Sequence, residues 1–420
     1  MEAFSFQNGE QYCEGVALSA IAKAVGTPLY VYSRAKLEQA AAAFRAGVEH
    51  TGDVHLAYAI KANPNLAVIA VLARAGYGAD VVSVGEMNRA LAGGVAAKDV
   101  VFSGVGKTKA EMAAALTAGV GQFNIESEIE GEELADVAAA MGRVAVAALR
   151  VNPDVDALTH AKISTGKADN KFGVPIGDAA DIYDRLSHRR GLALRGIALH
   201  IGSQLLSLDP LAVAFTRAGD LLRDLRARGH AVTHVDLGGG LGVQYRADQP
   251  PPSPADYGAM VARITADWGV TLMFEPGRVI AANAGVMVSE VIRIKPGANH
   301  PFVIVDAAMN DLARPALYDA WHDITALRPD GERMTATIVG PICESSDTFA
   351  TAREMDTVAV GDLLMFGATG AYGASMASTY NSRDMVPEVM VDGDQWAIVA
   401  DRIPADTIMA AERVPDFLSA

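Results

Sequence analysis

The chain reads as an α/β protein built on a parallel sheet, joined to a second, mostly antiparallel β domain. Two observations predict this. Apolar, β-rich runs alternate with Ala/Leu-rich amphipathic stretches as far as Gly285, and beyond it the texture changes to short Val/Ile/Thr/Met runs separated by Gly, Pro and Asp. After a short helical pattern ending at Gly26, the candidate strands are Val54–Ile60, Ala79–Val82, Val100–Ser103, Gln122–Ile125, Val144–Val151, Leu194–His200, Thr233–Leu237 and Thr271–Glu275. Each except the last precedes a stretch able to form a helix. Eight such strands suit a (β/α)8 barrel, whereas a doubly wound open sheet has the same local rhythm, and periodicity does not separate the two. Pro-rich Gln249–Pro254 is expected to be a loop opening into the last barrel helix, because proline supplies no ladder donor. The later runs are Val286–Ile294, Pro301–Asp306, Thr335–Val339, Thr357–Phe366, Pro387–Val391 and Trp396–Asp401.

Composition narrows the function. With 420 residues, 50% of them hydrophobic, the chain can bury a large core, and its length suggests two or three domains. A net charge of −15 leaves no basic surface for phosphate backbones or anionic lipid, which argues against nucleic acid and membrane as partners. Only Cys13 and Cys343 are present, too few for a disulfide framework or a zinc set, so a reducing compartment fits. The opening residues lack a basic segment followed by an apolar one, and no apolar run approaches the roughly 18 residues of a membrane span. The expectation is a cytoplasmic protein without a metal.

Four segments look chemical. Lys61 follows a buried apolar strand, where a barrel would present its active-site face, and partial burial lowers a lysine's pKa toward imine chemistry. The plain alternative is a surface lysine opening a loop. Gly238-Gly239-Gly240-Leu241-Gly242 follows the seventh strand, where backbone N–H groups free of Cβ atoms can converge on an anion. It lacks the Walker spacing, and the alternative is a tight βα turn. Glu275-Pro276-Gly277-Arg278 ends the eighth strand: Glu275 could keep a pyridine nitrogen protonated and Arg278 could fork onto a carboxylate, or the two could form a local ion pair. His200, followed by Ser203, could lie on an aromatic cofactor while the serine hydroxyl meets its phosphate, or be an ordinary satisfied histidine. Together these are the groups pyridoxal phosphate needs, in order on successive strand ends.

On these residues, and on Gly26-Thr27-Pro28-Leu29-Tyr30-Val31-Tyr32, Tyr58-Ala59-Ile60-Lys61-Ala62-Asn63 and Gly370-Ala371-Tyr372-Gly373, the chain resembles the fold-type III pyridoxal-phosphate decarboxylases over nearly its whole length. Within them it is most similar to the diaminopimelate decarboxylases. The resemblance implies an alanine-racemase-type (β/α)8 barrel at residues 35–283, and a β domain made of 1–34 and 284–420. It casts Lys61 as the Schiff-base lysine, His200 as the residue stacked on the ring, and Glu275 as the partner of the ring nitrogen. Ser203, Gly239, Gly240 and Gly277 become phosphate contacts, and Asp80 and Arg150 line the cofactor.

The second half carries the substrate signature. The string from Asp306 to Tyr318 resembles the segment with which that family binds carboxylates, so Arg314 and Tyr318 with Arg278 would hold a substrate charged at both ends. Met309-Asn310 stands where relatives often carry a glycine. Gly340-Pro341-Ile342-Cys343-Glu344-Ser345-Ser346-Asp347 resembles the loop that reaches a neighbouring subunit's active site. Cys343 would then be the proton donor and Glu344 would face the distal amine, with Tyr372 also crossing the homodimer to the cofactor phosphate. The plain reading of Cys343 is a small buried hydrophobe. The implied reaction removes the carboxylate at the D centre of the meso amino acid to give lysine. A racemase would want a cation in place of Glu275, diamine-forming relatives an acid in place of Arg314, and a catalytically silent homologue would not need Lys61.

Overall fold

The computed structural model describes residues 3–156 and 170–418. The chain divides into two compact units, Leu37–Ala281 and the pair Met1–Lys36 with Ala282–Ala420.

In the first, eight strands form a parallel sheet in sequence order: β1 (Val54–Ala59), β2 (Gly78–Val81), β3 (Val100–Phe102), β4 (Gln122–Ile125), β5 (Ala145–Asn152), β6 (Leu192–Ala198), β7 (His234–Asp236) and β8 (Thr271–Phe274). Pairing of β8 with β1 and of β4 with β5 closes the sheet, which decides for the barrel over the open sheet. Five of the helices between strands start on side-chain caps. Asn65, Ser83, Thr108, Ser127 and Ser253 each accept from an amide two or three residues on. Ser253 with Asp256 makes a reciprocal cap and Pro254 opens the helix Pro254–Thr265, so the proline-rich segment behaves as expected. A four-residue helix, Arg278–Ala281, follows even the last strand.

The second unit is a β domain. Gly285–Lys295 pairs antiparallel with Leu29–Ser33, Phe302–Val305 and Leu363–Phe366, and Arg333–Val339 pairs antiparallel with Thr348–Asp356. Two pairings are parallel, Phe302–Val305 with Arg333–Val339 and Leu29–Ser33 with Glu388–Asp392. Its core gathers Leu18, Ile21, Leu29, Val31, Val286, Val288, Val389 and Val391, all nearly inaccessible. The expected strand Thr357–Phe366 shrinks to Leu363–Phe366, because residues around Gly361 form the turn out of Thr348–Asp356. That last strand escaped the pattern since Ala350, Ala352, Arg353, Glu354 and Met355 favour helix, and long-range pairing with Arg333–Val339 overrides the preference. Among the described residues no helix is long and apolar enough to cross a membrane.

Candidate active site

Side chains of a barrel strand alternate between the interior and the helices, so one contact fixes the parity of a whole strand. On β8, Phe274 faces outward, its ring 6.1 Å from Phe44 and 6.0 Å from Tyr257. Met273 and Glu275 therefore face inward. By the same parity Phe123 of β4 lies against Phe102, and Gln122 and Asn124 point in. On β2 and β7 the inward residues at the carboxyl ends are Asp80 and Asp236, both essentially inaccessible. Burying Phe274 contributes about 2–3 kcal/mol of hydrophobic stabilisation to this placement.

Lys61 stands just past β1, in the single 3-10 turn Ile60–Ala62 rather than at the strand's last residue. Its Nζ is 2.9 Å from Asp80 Oδ2, with the lysine side chain 37% exposed and the aspartate fully buried. Asp80 Oδ1 has no hydrogen-bond partner among the described residues, which leaves a buried anionic lone pair available to a further donor.

Glu275 turns away from Arg278, so the local ion-pair reading of that motif is set aside. Its Oε1 accepts from Asn124 Nδ2 at 3.3 Å and from Ser103 Oγ at 3.5 Å, while the same Asn124 amide reaches Asp236 Oδ2 at 2.9 Å. Burial raises the proton affinity of Glu275 well above the usual carboxylate range, and the charges of Asp236 and Asp80 push in the same direction. Asp236 is raised as well, by burial, against hydrogen bonds from Glu275 and Asn124 that favour its anion. The two carboxyls hydrogen-bond to each other and so share a proton. Asp236, Asn124 and Ser103 were not singled out in the sequence. The signal was available, in polar residues at alternate positions of short strands otherwise buried on both faces.

His200 lies two residues beyond β6, whose end is Ala198 rather than His200. Burial first, then the nearby charges of Lys61 and Arg150, hold its imidazole well below the ordinary histidine range. The Gly239 amide donates to its Nδ1 at 3.2 Å, so the ring is neutral with its proton on Nε2. The glycine run has room for no side chain: a Cβ on Gly239 would come 2.3 Å from the Glu275 carbonyl oxygen, and one on Gly240, at φ +110°, 2.6 Å from that of Gly202. A Cβ on Gly277 would fall 3.0 Å from Ala59 Cβ, beside the lysine turn. Arg278 is buried and donates to Ser203 Oγ through Nε and Nη2, at 3.2 and 3.1 Å, and to Tyr245 OH at 2.7 Å. With its lone pairs facing the guanidinium, Ser203 directs its own O–H elsewhere. Arg150 pairs with Glu126 at 2.6 Å and lies over the Phe172 ring.

In the β unit, Arg314 begins the helix Arg314–Tyr318, with the guanidinium side chain buried and Tyr318 half-buried. The Cys343 loop is stapled by Asp347, which accepts from Met309 N through Oδ1 and from Ile342 N through Oδ2, both at 2.7 Å. Asp347 thereby ties the loop to the segment that carries Arg314. Cys343 and Glu344 are exposed in the single chain, so the buried-hydrophobe reading of Cys343 does not hold. Cys343 N donates to Asn381 Oδ1 at 3.2 Å, and hydrogen bonds from Ser346 and Tyr380 lower the proton affinity of Glu344. Tyr372 is half-buried at φ +56°.

Residues 34–282 match the family described as pyridoxal-dependent decarboxylase, pyridoxal binding domain. The barrel and its buried acids are therefore those of a pyridoxal-dependent enzyme. The chain is 49% identical to the diaminopimelate decarboxylase of Zymomonas mobilis subsp. mobilis over 100% of both chains, and 50% identical to that of Pseudomonas fluorescens over 98% and 99%. Among solved structures, diaminopimelate decarboxylase from M. jannaschii in complex with L-lysine superposes at TM-score 0.95, with 34% identity and 99% of each chain covered. The chain belongs to the diaminopimelate decarboxylase family.

The residues present fit pyridoxal phosphate. A buried acid pair that must share a proton, beside a buried carboxylate oxygen lacking a partner, is an environment that stabilises a protonated ring nitrogen. The side-chain-free backbone at Gly239–Gly240 is open to a phosphate.

Proposed function

We propose that this protein decarboxylates meso-2,6-diaminopimelate to L-lysine and carbon dioxide, the last step of lysine biosynthesis, with pyridoxal 5'-phosphate as cofactor. The observation that carries the reading is the barrel-end pair of Lys61 on buried Asp80 with the protonated Glu275–Asp236 pair on the same strand ends. When bound, the cofactor supplies a carbonyl for imine exchange and a protonated ring that accepts the electron pair left by the departing carboxylate. Lys61 would be the amine that holds the cofactor, with Asp80 orienting Nζ. Glu275 would pair with the ring nitrogen, and Asp236 and Asp80 beside it add negative charge that favours the nitrogen's protonated form. Neutral His200 would stack on the ring without adding a competing charge. Ser203, Gly239, Gly240 and Gly277 hold the phosphate, with Tyr372 of a second copy.

Arg278 and Arg314 are buried guanidinium groups whose planar forks suit carboxylates, and the substrate offers a carboxylate at each end. Tyr318 assists Arg314. Cys343 delivers the proton to the substrate carbon and Glu344 receives the distal amine. Exposure of Cys343 and Glu344 in the single chain supports a homodimer in which each copy completes the other's site. Two free cysteines support a cytoplasmic location.

The test is lysine and carbon dioxide release from meso-diaminopimelate by the purified, cofactor-loaded protein, beside ornithine, arginine and carboxynorspermidine, with Lys61→Ala as control. Turnover of diaminopimelate alone, lost in the variant, is expected. Turnover of another substrate overturns the assignments of Arg314 and Glu344, and an absorbing but inactive protein overturns the enzyme reading.

A further inference from the structure

Arg314 has a partner that the reaction does not explain. His322 is 2% exposed and Arg314 6%. Arg314 Nη1 lies 2.9 Å from His322 Nε2, and His322 Nδ1 lies 2.8 Å from the carbonyl oxygen of Gly367. A guanidinium only donates and a carbonyl only accepts, so both contacts require the same state: neutral imidazole, with its proton on Nδ1 and a lone pair on Nε2. The backbone around the ring is fixed on both sides. Gly367 N donates to Asp323 O at 2.8 Å, and the Arg353 guanidinium stacks over Trp321 while donating to His322 O at 3.1 Å. An imidazole lone pair held in this way takes one N–H and fixes the plane of the guanidinium.

We propose that His322 is a positioning residue, which aims Arg314 at a substrate carboxylate. The proposal rests on the carboxylate-binding reading of Arg314 given above. His322→Asn retains an amide that can reach Gly367 O but is too short to meet Arg314, whereas His322→Gln places an amide oxygen near the position of Nε2.

Steady-state kinetics on the cofactor-loaded enzyme with meso-diaminopimelate should show KM raised about tenfold in H322N, as expected for loss of one charge-assisted hydrogen bond, with kcat changed by less than about twofold. H322Q should stay within about threefold of wild type. Arg314→Ala should raise KM further, and adding H322N to Arg314→Ala should raise it no more. An unchanged KM in H322N, or an H322N effect that persists without Arg314, overturns the proposal. A KM rise of about tenfold in a folded H322Q does so too, and serves as the test where H322N folds poorly. An Arg314→Ala enzyme with unchanged KM instead sinks the carboxylate reading of Arg314, and the role of His322 with it.

Discussion

Asp311 should make the β unit less stable at neutral pH than at pH 4, and Asp311→Asn should remove the difference. Burial is the main cause of its perturbation: the carboxyl is pushed from the ordinary 3.8 up to about 6, against the Ala308 amide and Arg383, which favour the anion. Arg383 Nη2 stands 3.7 Å from Oδ2, too far to compensate fully. Because the folded value lies above the unfolded one, the native state holds an extra proton between about pH 4 and pH 6. The stability tied to that proton is fully present below pH 4 and is lost as the pH rises through 6. Two units at ~1.4 kcal/mol each give a loss of about 3 kcal/mol by pH 7. Asparagine keeps one oxygen for the Ala308 amide and, like the protonated acid, places a donor at the oxygen that accepts from Asn310 Nδ2, a clash that does not change with pH. Urea denaturation of wild type and Asp311→Asn at pH 4, 5, 6 and 7 should therefore show wild type losing about 3 kcal/mol between pH 4 and pH 7 that the variant does not lose. Parallel curves, or a variant weakest at pH 7, would refute the account.

Glu275→Gln keeps the contacts to Asn124 and Ser103 and can donate to Asp236, so the apoprotein should melt no lower than wild type. A neutral amide cannot share the ring proton, and kcat should fall by roughly 10²–10³; a destabilised variant with normal turnover would contradict both halves. Gly239→Ala drives a Cβ to 2.3 Å of the Glu275 carbonyl, which must shift strand ends, so equilibrium dialysis should find cofactor affinity down by at least about tenfold. Asp347→Asn sets an N–H against one of two amide donors, at a cost of about 1–3 kcal/mol, and hydrogen exchange at the Met309 and Ile342 amides should accelerate while barrel amides stay protected.

The barrel was legible because its strands are short, apolar and regularly spaced, and five of its helices begin on a capping residue visible in the sequence, such as Thr108 with Glu111. Closure was not legible, since it depends on β4 meeting β5 and β8 meeting β1, pairings that local periodicity does not encode. The β domain was read less well for a related reason: Thr348–Asp356 owes its conformation to residues some fifteen positions away along the chain rather than to its own preferences. Lys61, His200 and Glu275 could be picked out as isolated polar residues at strand ends. Their partners could not, because Asn124 lies 151 positions from Glu275 and Asp236 lies 112 from Asn124, and only closure of the barrel brings them together.

Those partners explain why the site accepts a glutamate at all. Isolated, Glu275 would be a buried acid of high proton affinity, held neutral by desolvation and ill suited to support a positive charge. With Asp236 sharing its proton and Asp80 adding a further negative charge, the interior carries more acid than Lys61 alone offsets, since Arg150 is already committed to Glu126. Such a barrel end favours any group that brings a proton and a positive charge, and it disfavours an unprotonated ring. In the proposed site, three acids at three strand ends would meet the demand for an electron sink, and a neutral His200 leaves that excess intact. A second cation at His200 would cancel it, which is the physical sense of an imidazole whose Nδ1 is occupied by the Gly239 amide and whose surroundings already contain Lys61 and Arg150.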